Sequence, residues 1–421
     1  MSNQLQSWLN VAACAVITMM ALGLVSHAGT LYIAPVTRDM GFSRAEFNGV
    51  FTISSITGMG ISLSMGRLYK WVKRVRMLLL IGIVSACLSQ YIFSIATNVT
   101  TFYLGGIFMG GAIFYLGSTP YAILTADWFQ NKRATAYGII LSGSGIGGVL
   151  FSPLANHWIM NYGWRTAYLI AAGLLLVVCM PMLLVIQDKP KQEPVISDNN
   201  ASGMKGSGSQ TVSRSNEKLE GYSLKEAAKT PAFWLAAPGF FLMAMTIFSV
   251  YINTAAHLVN LQLMPQVVAW VLSVVFLVNT VAKLMLGVMT DRIGIRPVFL
   301  FSIICFMVAT VLLMFAANPM VAFAAAVFFG FGFATMSVPI PELVRHLFGM
   351  KDFSTLMGVF MTFLGLGGAV GPVIGGLLFD RFGHYQALMV LALVLNGLSA
   401  LLILMALKQP NKSVLHLGTT I

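Results

Sequence analysis

The sequence predicts an all-α integral membrane fold: twelve transmembrane helices in two pseudo-symmetric six-helix bundles. Three observations predict it. Of the 421 residues, 57% are hydrophobic and only 9% charged, too few charges to cover a soluble domain of this size. Apolar runs of the roughly 20 residues needed to cross about 30 Å of hydrocarbon recur along the chain. The second half repeats features of the first at a near-constant offset.

The apolar runs lie at about 10–34, 46–66, 77–96, 100–126, 135–160, 165–187, 232–258, 265–288, 297–317, 319–345, 354–379 and 385–407. The first is followed by many more, so it reads as a true span and not as a cleaved signal. Between the sixth and seventh, residues 188–229 are polar, mixed in charge and rich in Gly and Ser from Ala201 to Ser215, the composition of a flexible linker. The expected organisation is an N-terminal bundle at 1–187, a cytoplasmic linker at 188–229, a C-terminal bundle at 230–407 and a cytoplasmic tail at 408–421.

The repeat is carried by glycines. Gly138, Gly145, Gly147, Gly148 and Gly163 recur 220 positions later as Gly358, Gly365, Gly367, Gly368 and Gly383. Pro153 returns one residue out of register as Pro372. Six-plus-six duplication with a long central loop implies two bundles facing each other across a midplane site.

A net charge of +12 would suggest nucleic acid in a soluble protein. Here the basic residues sit in short loops between spans. With both termini inside, twenty Lys and Arg fall on the cytoplasmic side, against Arg38, Arg44, Arg165 and Arg381 outside. The positive-inside rule therefore places both termini in the cytoplasm, in a plasma or bacterial inner membrane. The lipid bilayer is the expected partner, with no nucleic acid and a monomeric chain. Cys14, Cys87, Cys179 and Cys305 all lie in apolar runs without metal-ligand spacing. No metal or cofactor is expected, and no clustered His, Asp or Glu suggests an enzyme.

Residues 287–296 read Gly-Val-Met-Thr-Asp-Arg-Ile-Gly-Ile-Arg. This resembles the signature loop of the major facilitator superfamily, with Gly287, Asp291, Arg292, Gly294 and Arg296 at the motif positions of its conformational switch. The first-half copy keeps Gly66 but has Lys70 where the acid belongs. The run from Trp128 and Phe129 through Lys132 and Arg133 to Gly138 resembles the fourth-to-fifth span junction of monocarboxylate and oxalate:formate carriers. Glu226 to Trp234 is similar to the start of their seventh span. The Asp-Gly-Gly-Trp-type opening motif of the animal members is missing from the first span. The resemblance implies the superfamily's twelve-helix fold and a secondary active transporter of small monocarboxylates such as lactate, pyruvate or formate. Transport would proceed by alternating access, as proton symport or anion exchange. A carrier of a dicarboxylate, a sugar acid or an amphipathic drug is the alternative.

A charge at bilayer depth costs at least about 2.5 kcal/mol on insertion scales, so it should face a cavity. Lys283 is the one Lys or Arg well inside a span, and Asn279 lies one turn before it. An ammonium and an amide so spaced can both donate to a carboxylate. The related carriers have an Arg at the position of Lys283, and bacterial members an Asn one turn earlier. His27 lies mid-span beside Ser26 and Thr30, where animal members have a lysine linked to proton transfer. Histidine titrates near neutral pH, so His27 is the candidate for coupling H+ as well as for binding the anion. The oxalate carrier has a second cation where this chain has Leu364, so one fixed cation here matches a monoanion. Tyr115, Ser118 and Tyr121 on the fourth span, Phe333 and Ser337 on the tenth and Phe360 on the eleventh are further candidate lining residues. The absence of Asp or Glu at mid-depth argues against a cation carrier.

Overall fold

A computed structural model describes residues 3–72, 74–129, 133–188, 221–337, 339–349 and 351–409. Most of the expected linker, including Ala201 to Ser215, and the tail beyond residue 409 lie outside the described residues, as do the side chains of Ser118 and Asp291. The described chain is helical almost throughout. Ten stretches are long and apolar enough to cross a membrane. One of them, Ala136–Val185, has 50 residues, twice a single crossing, and reverses at Gly163, whose φ of 80° and ψ of 160° are non-helical. Counting it as two and adding Arg44–Val72 gives twelve spans.

Helices within each half pack on one another, and the halves meet along two seams. The fifth span faces the eighth, and the second faces the eleventh. Loops at residues 41–43, 96–98, 261–264, 315–318 and 383–385 share one face of the molecule, here the far side. The linker side carries the opposite ends.

The repeated glycines have repeated jobs. A Cβ on Gly147 would come within 2.1 Å of the Met19 carbonyl oxygen in the first span, and one on Gly367 within 2.3 Å of the Phe241 oxygen in the seventh. Both allow backbone-to-backbone packing inside their own bundle. Gly145 abuts Thr280 and Gly148 abuts Phe276 across the 5–8 seam, while Gly365 abuts Met59 across the 2–11 seam. Gly163 and Gly383 both turn the chain with positive φ.

These contacts stop at mid-depth. Gly138, Gly287 and Gly358, one to two turns toward the linker on the same faces, meet nothing within 4 Å. At the far side Asp380 accepts from the backbone N–H groups of Arg44 (2.9 Å) and Ala45 (3.0 Å), joining the eleventh span to the second. The bundles are closed at the far side and parted at the linker side.

Three spans are interrupted where the sequence reads as continuous. The first passes from α-helix Asn3–Ala21 through a π-helical turn, Leu22–His27, and a 3-10 turn, Ala28–Tyr32, into Ile33–Met40. The fourth breaks between Val99–Tyr115 and Ser118–Trp128. The tenth breaks between Pro319–Ala334 and Pro339–Phe348. Pro120 and Pro339 lack the amide hydrogen that would continue each helix, and they occupy matching places in the two halves.

Candidate functional site

The π turn of the first span delivers His27 to the centre of the molecule. A π turn adds a residue to the ring and re-aims its side chain, and such turns cluster at functional sites. His27 Nε2 lies 3.0 Å from the Ser144 hydroxyl in the fifth span. Its Nδ1 lies 3.2 Å from the Tyr251 hydroxyl in the seventh. One imidazole thus links the two bundles. Its ring packs on Phe276 of the eighth span at a centroid distance of 4.1 Å. Tyr251 in turn stacks on Phe333 of the tenth span at 4.9 Å. Five spans therefore meet in one aromatic and hydroxyl cluster.

Lys283 follows Phe276 by seven residues, so it lies two turns toward the linker on the same face of the eighth span. It is half-buried and close enough to act electrostatically on His27. Neither ion pair among the described residues, Glu342–Arg345 or Glu226–Lys351, involves it. Gly287, one turn further on, faces open space. The ammonium has no carboxylate partner among the described residues.

The other sequence candidates divide. Phe333 belongs to the cluster, and Ser337 is exposed in the break of the tenth span on the linker side of it. Asn279 is 4% exposed and donates to the Gly330 carbonyl at 3.3 Å, so its amide hydrogen holds the tenth span against the eighth. Tyr115 rests its Cβ against Gly82 of the third span. Tyr121 is fully buried beside Cys14 and Thr18, inside the N-terminal bundle. Phe360 is likewise fully buried, against Phe233, Phe240 and Phe348 in the C-terminal bundle. The i, i+3, i+6 spacing that grouped Tyr115 with Tyr121 fails because the fourth span breaks between them. Leu364 is 7% exposed.

In the signature loop Gly294 takes φ 81°, a turn only glycine adopts readily. Arg292 is exposed, and Arg296 donates to the Leu407 carbonyl, tying the ninth span to the end of the twelfth. Ser144, Tyr251 and Phe276 complete the cluster. Ser144 and Phe276 had one signal in the sequence, their places next to Gly145 and on the Lys283 face.

This architecture defines a polytopic carrier with a central site between two bundles. A family model described as Major Facilitator Superfamily matches residues 11–264 and 252–418. The chain belongs to that superfamily and is an integral membrane transporter. Among curated relatives it is 24% identical to monocarboxylate transporter 12-B of Danio rerio, covering 90% of this chain and 82% of that one. It is 27% identical to monocarboxylate transporter 13 of Rattus norvegicus, covering 85% and 81%. It is 26% identical to monocarboxylate transporter 2 of Homo sapiens, covering 74% and 67%. The fold matches a crystal structure of a nucleoside transporter with a TM-score of 0.71 at 13% identity, over 95% of this chain and all of that one. It also matches an inward-facing, unoccupied bacterial homolog of the human lysosomal transporter Spinster, with a TM-score of 0.67 at 14% identity, over 97% and 95%.

Proposed function

We propose that the chain carries small monocarboxylates, such as lactate, pyruvate or formate, by alternating access, with the linker side facing the cytoplasm. The observation that carries this reading is Lys283: an ammonium two turns along the eighth span from the Phe276 that packs on His27, with no ion-pair partner among the described residues. Unpaired, it opposes the passage of the empty carrier through a dry barrier. A monocarboxylate bound to it cancels the charge and lets the bundles rock. A Lys offers a point charge where an Arg would offer a bidentate fork, so the anion is held by one strong contact plus the hydroxyls and rings around it. The names of the curated relatives point to the same substrate class.

His27 sets the coupling. Its two hydroxyl partners can each donate or accept, so either neutral tautomer and the imidazolium keep both bonds. If His27 takes up a proton with the anion, transport is symport. If it stays neutral, exchange of one anion for another follows. A pH-jump uptake assay on His27→Ala separates the two: loss of proton-driven uptake with exchange retained supports symport, and unchanged proton drive removes His27 from coupling. One fixed cation favours monoanions, so lactate, pyruvate and formate should outcompete oxalate in proteoliposomes. Oxalate winning that competition would refute the charge match.

A further inference from the structure

Buried and half-buried polar groups climb the contact of the second span with the seventh and eleventh toward the far side, at one-turn intervals. The second span presents Arg44, Asn48 and Thr52, and the seventh presents Ser249 and Asn253, with His257 one turn above them bonded to the Leu313 carbonyl of the ninth span at 2.8 Å. Asn48 Nδ2 donates to Asn253 Oδ1 at 2.9 Å and to the Pro372 carbonyl at 2.8 Å. Thr52 donates to the Ala369 carbonyl, and Ser249 to that of Gly371 at 2.6 Å. Asn48 and Asn253 are 0% exposed and His257 2%. At the top, Tyr385 is fully buried, edge-on to His257 at 5.7 Å and packed on Phe379 at 4.6 Å. The Arg44 guanidinium lies over that same Phe379 at 5.1 Å.

Four buried atoms of this seam have no hydrogen-bond partner among the described residues: Arg44 Nη1, Asn48 Oδ1, His257 Nδ1 and the Tyr385 hydroxyl. An orphaned polar group opposes burial, and apolar side chains would hold two helices together better. Such a stripe at membrane depth belongs on a surface that water reaches in another state. The seam ends above at the Asp380 contact that closes the far side. Its upper end holds two donors, Arg44 Nη1 and the Tyr385 hydroxyl, with Arg38 and the Asp380 carboxylate both within electrostatic reach of Arg44.

We propose that this seam is the far-side half of the anion's path, and that Arg44 with Tyr385 forms a first carboxylate-binding station on it, wetted when the second and eleventh spans part. The proposal rests on the carboxylate-carrier reading. The test uses the full chain in proteoliposomes, with the four native cysteines replaced by alanine and a membrane-impermeant thiol reagent applied to the far side. Asn48→Cys and the near-isosteric Ser249→Cys should label during turnover. Val394→Cys, on a 63% exposed lipid-facing position of the twelfth span, should not. Lactate at about ten times its Kd should slow labelling of Asn48→Cys about tenfold. Adding Arg44→Gln or Tyr385→Phe should abolish that protection while labelling persists. Failure of both cysteines to label in protein that still takes up lactate overturns the path. Protection that survives both Arg44→Gln and Tyr385→Phe overturns the station. Labelling that no carboxylate slows overturns the station alone if lactate is still taken up, and the carboxylate reading with it if uptake is also absent.

Discussion

Replacing Lys283 by Gln removes a charge without stranding another. Where a buried ion pair is broken, the partner left behind costs about 3–5 kcal/mol. Lys283 has no ion-pair partner among the described residues, so Lys283→Gln should leave the melting temperature of the ligand-free protein unchanged or slightly higher. Substrate binding should respond very differently. A charge-assisted hydrogen bond contributes about 1.5–3 kcal/mol, which at about 1.4 kcal/mol per decade weakens binding about 10- to 150-fold. Lys283→Arg keeps the charge and should recover most of the loss. Initial rates of labelled lactate uptake into proteoliposomes give the KM, and a thermal melt of the same preparation gives the stability. A Lys283→Gln protein with unchanged KM would show that the ammonium does not hold the substrate. A melting temperature several degrees lower with uptake intact would make the lysine a structural residue.

Other consequences are as direct. Asn279→Ala removes the bond to the Gly330 carbonyl and should cost about 1 kcal/mol of stability, read as a lower melting temperature, with a smaller effect on KM than Lys283→Gln. Gly145→Val should obstruct far-side closure, because even a Cβ there would lie 1.9 Å from Thr280 Oγ1; cysteines placed along the seam should then label faster from the far side, whereas Gly138→Ala, in open space, should change nothing. At the linker side, the Ser223 backbone N–H and then the Lys351 ammonium hold the Glu226 carboxyl down to about 2, from a usual 4.5. A depressed carboxylate stabilises above its ordinary pKa, so the turn at Leu224–Ala227 should be fully protected from hydrogen exchange at neutral pH and lose protection as pH falls from about 4.5 toward 2, a dependence that Glu226→Gln should remove.

Much of the fold was legible in the sequence because each span must be apolar along its own length, and because Gly145 and Gly365, like Gly147 and Gly367, hold matching packing places in the two halves. Lys283 and His27 were legible for the same reason: ionisable side chains stand out against an apolar background. The breaks in the first, fourth and tenth spans were not, although Pro120 and Pro339 sit within one residue of register with each other. A helix break is set by which backbone hydrogen bonds the surrounding helices replace, and apolar periodicity does not report that. Tyr121 and Phe360 share the chemistry of pathway residues, yet they face the interiors of their own bundles. Which side of an apolar helix turns toward a neighbour depends on partners remote in the chain. The same holds for Asn48, whose amide meets Asn253 across 205 positions.

The most direct measurement is a binding titration on purified protein that pairs each small carboxylate with its neutral amide, lactate against lactamide and pyruvate against pyruvamide, read by calorimetry. A fixed ammonium at the centre requires that the carboxylates bind and that the isosteric amides bind about tenfold more weakly or not at all. Equal binding of the two series, or binding of neither while an uncharged or cationic compound binds, would contradict the account.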